Sequence, residues 1–159
     1  MSTLFGQQIG PDDILSKMMP GYDWTVPFKD RVTLPRTKPH PFVQGYLLAM
    51  LEDWPFHVIN DITERTYIQL IRECAYMFRF AGDEIGELSF IYDVPMKELG
   101  KAFWESRSGG FGFSMRDWKH SDQLHHVATH RFHFPMWVVE DEQGKLDITW
   151  NDPTGFDFT

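Results

Sequence analysis

The chain has 159 residues, a formal net charge of -8, and 42% hydrophobic and 16% aromatic side chains, among them fourteen Phe and six Trp. So apolar a composition excludes a disordered chain, and the length suffices for one domain with a real core. Direct nucleic-acid binding needs a basic stripe to displace counterions from phosphates; in this acidic chain the nearest approach to one is the loose set Lys29, Arg31, Arg36 and Lys38, so such binding is not expected.

Cys74 is the sole cysteine, so neither an intrachain disulfide nor a cysteine-based zinc site is expected. Its apolar neighbours predict a small buried hydrophobe. The first residues carry no basic stretch followed by an apolar run, and no segment reaches the length of a membrane span. A cytoplasmic location, or assembly into a particle after cytoplasmic synthesis, is the expectation.

Residues 1–41 hold Pro11, Pro20, Pro27, Pro35, Pro39 and Pro41. Proline removes an amide donor and biases its predecessor towards extended backbone, so long helices and central strands are excluded here. One short helix is allowed, capped by Asp12 or Asp13 and stopped at Pro20. The remainder predicts an extended arm whose apolar residues, among them Tyr22, Trp24, Val26, Phe28, Val32 and Leu34, recur at about every second position. Such an arm is expected to lie on its own domain or on a neighbour, with Tyr22, Trp24 and Phe28 as contact residues.

From Phe42 the period becomes helical, through Tyr46, Leu47, Met50 and Leu51, and Pro55 ends it. Residues 56–59 suggest a short strand. The strongest helical pattern follows: Asp61 and Glu64 resemble an acidic capping box, Tyr67, Leu70, Ile71, Cys74, Ala75, Phe78 and Ala81 give the stripe, and Gly82 supplies a stop. Asp83, Glu84 and Glu87 then predict a solvated turn without calcium-loop spacing. Residues 88–92 are rich in strand formers. Asp93 and Pro95 open a third helix with Met96, Leu99 and Phe103 inward. The glycine-rich stretch 106–113 lacks the Lys-Ser/Thr ending of a P-loop and predicts a connector.

Five of the seven histidines, His120, His125, His126, His130 and His133, fall within fourteen residues. On a helix, Asp122, His126, His130 and His133 share a face and could hold a transition metal with an open position for water. On a strand over 127–139 they separate, His130 with Phe132, Phe134, Met136 and Val138 on one face and His133 with Trp137 and Val139 on the other. Pro135 and the aromatic and β-branched residues favour the strand from about Arg131 onward. His126 and His130 would then need a distant ligand such as His57, Asp147 or Asp152. The acidic turn 140–145 closes a hairpin onto Leu146, Ile148 and Trp150.

The expected fold is α+β. Three helices, near 42–53, 61–81 and 95–106, pack on a small antiparallel sheet with a C-terminal β-hairpin, the helix over 61–81 being central. A proline-rich arm over 1–41 lies outside a single domain of residues 42–159. No nucleophile elbow and no His-Glu-x-x-His helix is present, and no catalytic residue is singled out. The expected function is a structural or adaptor subunit of a larger assembly, a virion or tail component being the natural setting, rather than an enzyme. It would meet protein partners, or copies of itself, through the arm, with no cofactor, nucleic acid or membrane. The first alternative is a small metal-dependent or acid–base enzyme using the histidine-rich block 120–133, with His126, His130 and His133 as the ligands of a divalent transition metal. The second is an acidic inhibitor of a nucleic-acid-binding protein.

Overall fold

The computed structural model describes residues 39–132 and 136–150, together with two short antiparallel strands, β1 (Thr3–Leu4) and β2 (Gln7–Gln8). The rest of the arm, with Tyr22, Trp24 and Phe28, lies outside the described residues, as does His133.

Helix α1 (Pro41–Leu51) starts with proline at its first position, where the missing amide costs nothing. The His40 ring accepts the Phe42 amide at 3.1 Å. Nine of its eleven residues are buried, so apolar packing covers most of its circumference and leaves Leu48 on the exposed side. Helix α2 (Glu64–Phe90) is capped by Thr63, whose hydroxyl accepts the Thr66 amide at 3.3 Å. Helix α3 spans Met96–Arg107, and α4 spans Ser121–His130. Single 3₁₀ turns lie at Ile59–Asp61 and Gly112–Met115.

The closest helix pairing is that of α1 with α3. It is set by two glycines that face the opposite backbone. A Cβ on Gly45 would collide with the Lys97 carbonyl, and one on Gly100 with the Phe42 carbonyl. With no side chain in the way, the two backbones touch, and the rings of Phe42, Tyr46, Phe103 and Trp104 gather around the crossing at centroid distances of 4.9 to 5.8 Å. Phe78 from α2 meets Phe42 edge-on at 4.9 Å, and Phe132 meets Phe103 at 5.3 Å. Cys74 is buried in this core, as its sequence context predicts.

The C-terminal hairpin is present, with β3 (Met136–Glu140) antiparallel to β4 (Leu146–Trp150) and Val138 opposite Ile148. Its turn is fastened by the Asp141 carboxylate, which accepts the amides of Gln143 and Lys145 at 2.9 and 2.8 Å. Gly144 takes a φ of 77° that a side chain would resist. Leu146 and Ile148 are buried, whereas Trp137 and Val139 face solvent. The Leu146 carbonyl accepts the Thr63 amide at 2.9 Å, so β4 abuts the start of α2.

The architecture is α+β, and several of the expected details are corrected. A further helix, α4, occupies 121–130, Arg131 and Phe132 are not in a strand, and the described strand begins at Met136 rather than near Arg131. Leu124 and Ala128 are buried against the core and hold that segment helical despite its weak stripe. Helix α2 does not stop at Gly82: Ala81 departs from helical geometry at φ -141°, and the helix resumes to Phe90. Burial of Phe78, Ala81, Ile85 and Leu88 at helical spacing overrides the strand propensity of 88–92 and the charged turn before it. Residues 56–58 form a turn and coil rather than a strand, and Thr63 and Pro95 occupy the cap positions expected of Asp61 and Asp93.

Candidate functional site

Three polar arrangements and one groove concentrate the chemistry. The first is wholly interior. Glu73 on α2 accepts from the Tyr46 hydroxyl of α1 and from the Arg107 Nε of α3, and all three side chains are fully buried. The Arg107 guanidinium also lies 5.2 Å from the centroid of the Phe132 ring. Burial pushes the Glu73 carboxyl up, against the lowering pull of Arg107. Burial, and then the neighbouring Glu73 charge, hold the Tyr46 hydroxyl well above its ordinary value. With no route to solvent, the trio serves as an internal tie between three helices.

In the second arrangement, Ser106 Oγ accepts the Phe113 amide at 3.0 Å and lies 3.1 Å from His125 Nδ1. A hydroxyl beside an imidazole is the beginning of a nucleophile pair. Ser106 is fully buried, however, and the pair acts to pin the 112–115 turn between α3 and α4.

The third links the hairpin to the α2 entrance. Asp147 accepts from the hydroxyls of Thr63 (3.1 Å) and Thr66, and from Arg65 at 2.8 Å. Partial burial raises its carboxyl, but the hydrogen bonds and the Arg65 charge outweigh this and leave it below the usual range. Beside it, His57 stands between two carboxylates, Nδ1 at 3.3 Å from Asp61 and Nε2 at 2.6 Å from Glu140. The Val58 amide, and after it His57, hold Asp61 low.

His57 also lines an open groove of about 670 Å³ with Pro39, Gln44, Leu48, Leu51, Glu52, Val58, Ile59, Asn60 and Tyr67. Its walls are mainly apolar, with amide groups at isolated points, the composition expected of a binding cleft. A separate apolar surface lies at the far end of α2, where Phe90, Ile91 and Tyr92 are consecutive and 67%, 68% and 51% exposed.

The histidine block is dispersed. His120 hydrogen-bonds Glu87 at 2.7 Å, beside Lys119 on the same carboxylate, and His125 belongs to Ser106. Hydrogen bonds from Lys119 and then His120 hold Glu87 below its ordinary value. His126 and His130, one helical turn apart, stack at 4.0 Å on the exposed face of α4. Of the distant ligands considered, His57 and Asp147 are engaged as described, and Asp152 lies outside the described residues. Among the described residues, no group of three His, Cys, Asp or Glu is disposed to hold a metal ion, and no helix is long and apolar enough to cross a membrane.

Sequence reasoning missed both the groove and the patch at 90–92. The groove is built from α1, the 59–61 turn and Tyr67, which no linear motif connects. The patch did leave a signal, a run of large apolar residues, but its strand propensity concealed that only Leu88 turns inward. No protein-family model, curated protein or solved structure matches the chain.

Proposed function

We propose that this chain is a structural or adaptor subunit of a larger protein assembly, acting through protein–protein contacts, with a particle such as a virion or its tail as the setting. The observation that carries this reading is the exposed triplet Phe90, Ile91 and Tyr92 at the end of α2. Single exposed apolar residues are ordinary, but a contiguous group marks an interaction surface. Burying side chains of this size on a partner is worth roughly 1.5–3 kcal/mol each, and aromatic residues are enriched at the centres of interfaces.

The test is retention of a stoichiometric partner, or of a second copy, by the full chain and by its Ile91→Asp variant. Wild type should retain it from the native lysate or self-associate in light scattering, and the charged variant should do neither while keeping its helical circular dichroism. A wild-type protein that stays monomeric and retains nothing, or a variant that binds as well, refutes the reading.

A further inference from the structure

The turn that follows α1 displays an uncovered aromatic side chain beside the open groove, within a stretch of one charge sign. We infer that this face docks a segment of another protein in which large apolar residues are flanked by lysine or arginine.

Phe56 is the most exposed large apolar side chain among the described residues, at 96%. Pro55 and Phe56 fill the two central positions of a turn closed by the His57 amide, which donates to the Trp54 carbonyl at 3.0 Å. The fixed φ of proline suits the first of those positions. The Trp54 amide donates in turn to the Leu51 carbonyl at 2.9 Å, and the Trp54 and His57 rings meet edge-on at 5.9 Å. Phe56 is thus presented from a fixed backbone, so little freedom is lost when a partner covers it. The same turn leads into the groove, where Val58 and Leu48 on the walls remain 61% and 49% exposed. An aromatic side chain next to an apolar cleft is the make-up of an interface centre.

The surrounding charge is acidic. From Pro39 to Glu64 the sequence has no lysine or arginine, whereas Glu52, Asp53, Asp61 and Glu64 all fall there. Glu140 of β3 joins them, 2.6 Å from His57. The lysines in contact are Lys101, 3.4 Å from Glu52, and Lys145, 4.0 Å from Asp61. Arg65 is engaged by Asp147, and Lys38 precedes Pro39 in the sequence. Five carboxylates against three lysines leave the face negative, and Glu52, Asp53 and Glu140 are exposed. Exposed ion pairs are weak, so Lys101 leaves Glu52 open to a second cation.

This balance decides among partners. A second copy would set the same carboxylates against one another, and like charges opposed across an interface are unfavourable. Nucleic acids and anionic membranes are repelled for the same reason. A cationic apolar segment gains twice: its charges meet the rim, and its apolar residues cover Phe56, Val58 and Leu48.

The probe is a short fluorescein-labelled leucine–lysine peptide of helical period, titrated with the full chain and followed by anisotropy at about 0.15 M salt. Two counterparts accompany it, one with every lysine replaced by glutamate and one with every leucine replaced by serine. The expected result is one leucine–lysine peptide bound per chain, with both counterparts more than about tenfold weaker. Phe56→Ser with Val58→Ser, and separately Glu52→Lys with Asp53→Lys, should each weaken binding more than about tenfold. Asp83→Lys with Asp122→Lys makes the same change of charge at exposed positions near the far end of α2, where Gln123 meets Glu84 at 3.2 Å. That pair should leave the affinity unchanged.

Equal loss from the two charge-reversed pairs would reduce the effect to net charge. Unchanged affinity in either site variant, or no binding by wild type, would remove the site. A dimer in sedimentation velocity that Phe56→Ser dissolves would assign the face to a second copy. Each of these results overturns the inference, with circular dichroism verifying that every variant is folded. The Ile91→Asp test is independent of it, because the two surfaces share no residue.

Discussion

Replacing Gly100 with alanine should destabilise the protein although alanine is the better helix former. The new methyl would stand 2.9 Å from the Phe42 carbonyl carbon and 3.0 Å from the Tyr46 amide nitrogen, and nearer still to the Phe42 oxygen. Comfortable carbon contacts are about 3.5–4.0 Å. Every neighbour is α1 backbone, so no side chain can swing aside, and the two helices must part. Forcing extra volume into a packed site costs about 1–3 kcal/mol. A radial gap of about 0.5–1 Å also forfeits a quarter to a half of each dispersion contact it opens, and four rings lie around this crossing. Helix propensity returns about 1 kcal/mol. The net loss is about 2 kcal/mol, which lowers Tm by roughly 4–8 °C in a chain of this size. Urea denaturation followed by tryptophan fluorescence, with thermal melts by circular dichroism, measures it. Gly45→Ala acts on the same contact, so the double variant should lose less than the two single losses added together. Either alanine variant matching or exceeding wild type would refute a backbone contact at this crossing.

Two further outcomes follow from the buried and half-buried charges. Arg107→Leu leaves the Glu73 carboxylate without its cation in the interior and should cost about 3–5 kcal/mol in urea denaturation; adding Glu73→Leu should recover much of that loss, and a still less stable double variant would contradict it. Asp147 has a folded pKa below its ordinary 3.8. A depressed acid contributes stability that is full above the unfolded pKa and is lost as pH falls through the folded one. Asp147→Asn should therefore flatten the fall in Tm below about pH 4, and an unchanged acid slope would show that the carboxylate is not held by its neighbours.

The α+β class, the first and third helices, the buried Cys74 and the C-terminal hairpin were legible because each rests on local periodicity or turn chemistry. Leu146 and Ile148 alternate inward, and Asp141 with Gly144 closes the turn. What misled was competition between local preference and packing. Gly82 carries a stop signal, yet Ile85 and Leu88 bury on the same face as Phe78 and carry the helix past it. Phe90, Ile91 and Tyr92 have strand propensity but stay outside the core. His126 and His130 do share a helix face, as the helical alternative required, but they stack on each other at an exposed surface. The tie through Glu73 was not legible at all, since Tyr46, Glu73 and Arg107 come from three separate segments.

That tie bears on how the domain forms. One carboxylate oxygen receives both donors, so any intermediate that has brought only two of the helices together holds a desolvated group still lacking a partner. Such half-assembled states are raised in energy relative to both the open chain and the finished domain. The tie therefore favours docking of the three helices together. Variants that make this site apolar should gain equilibrium stability at the expense of cooperativity, populating compact forms that the native sequence suppresses.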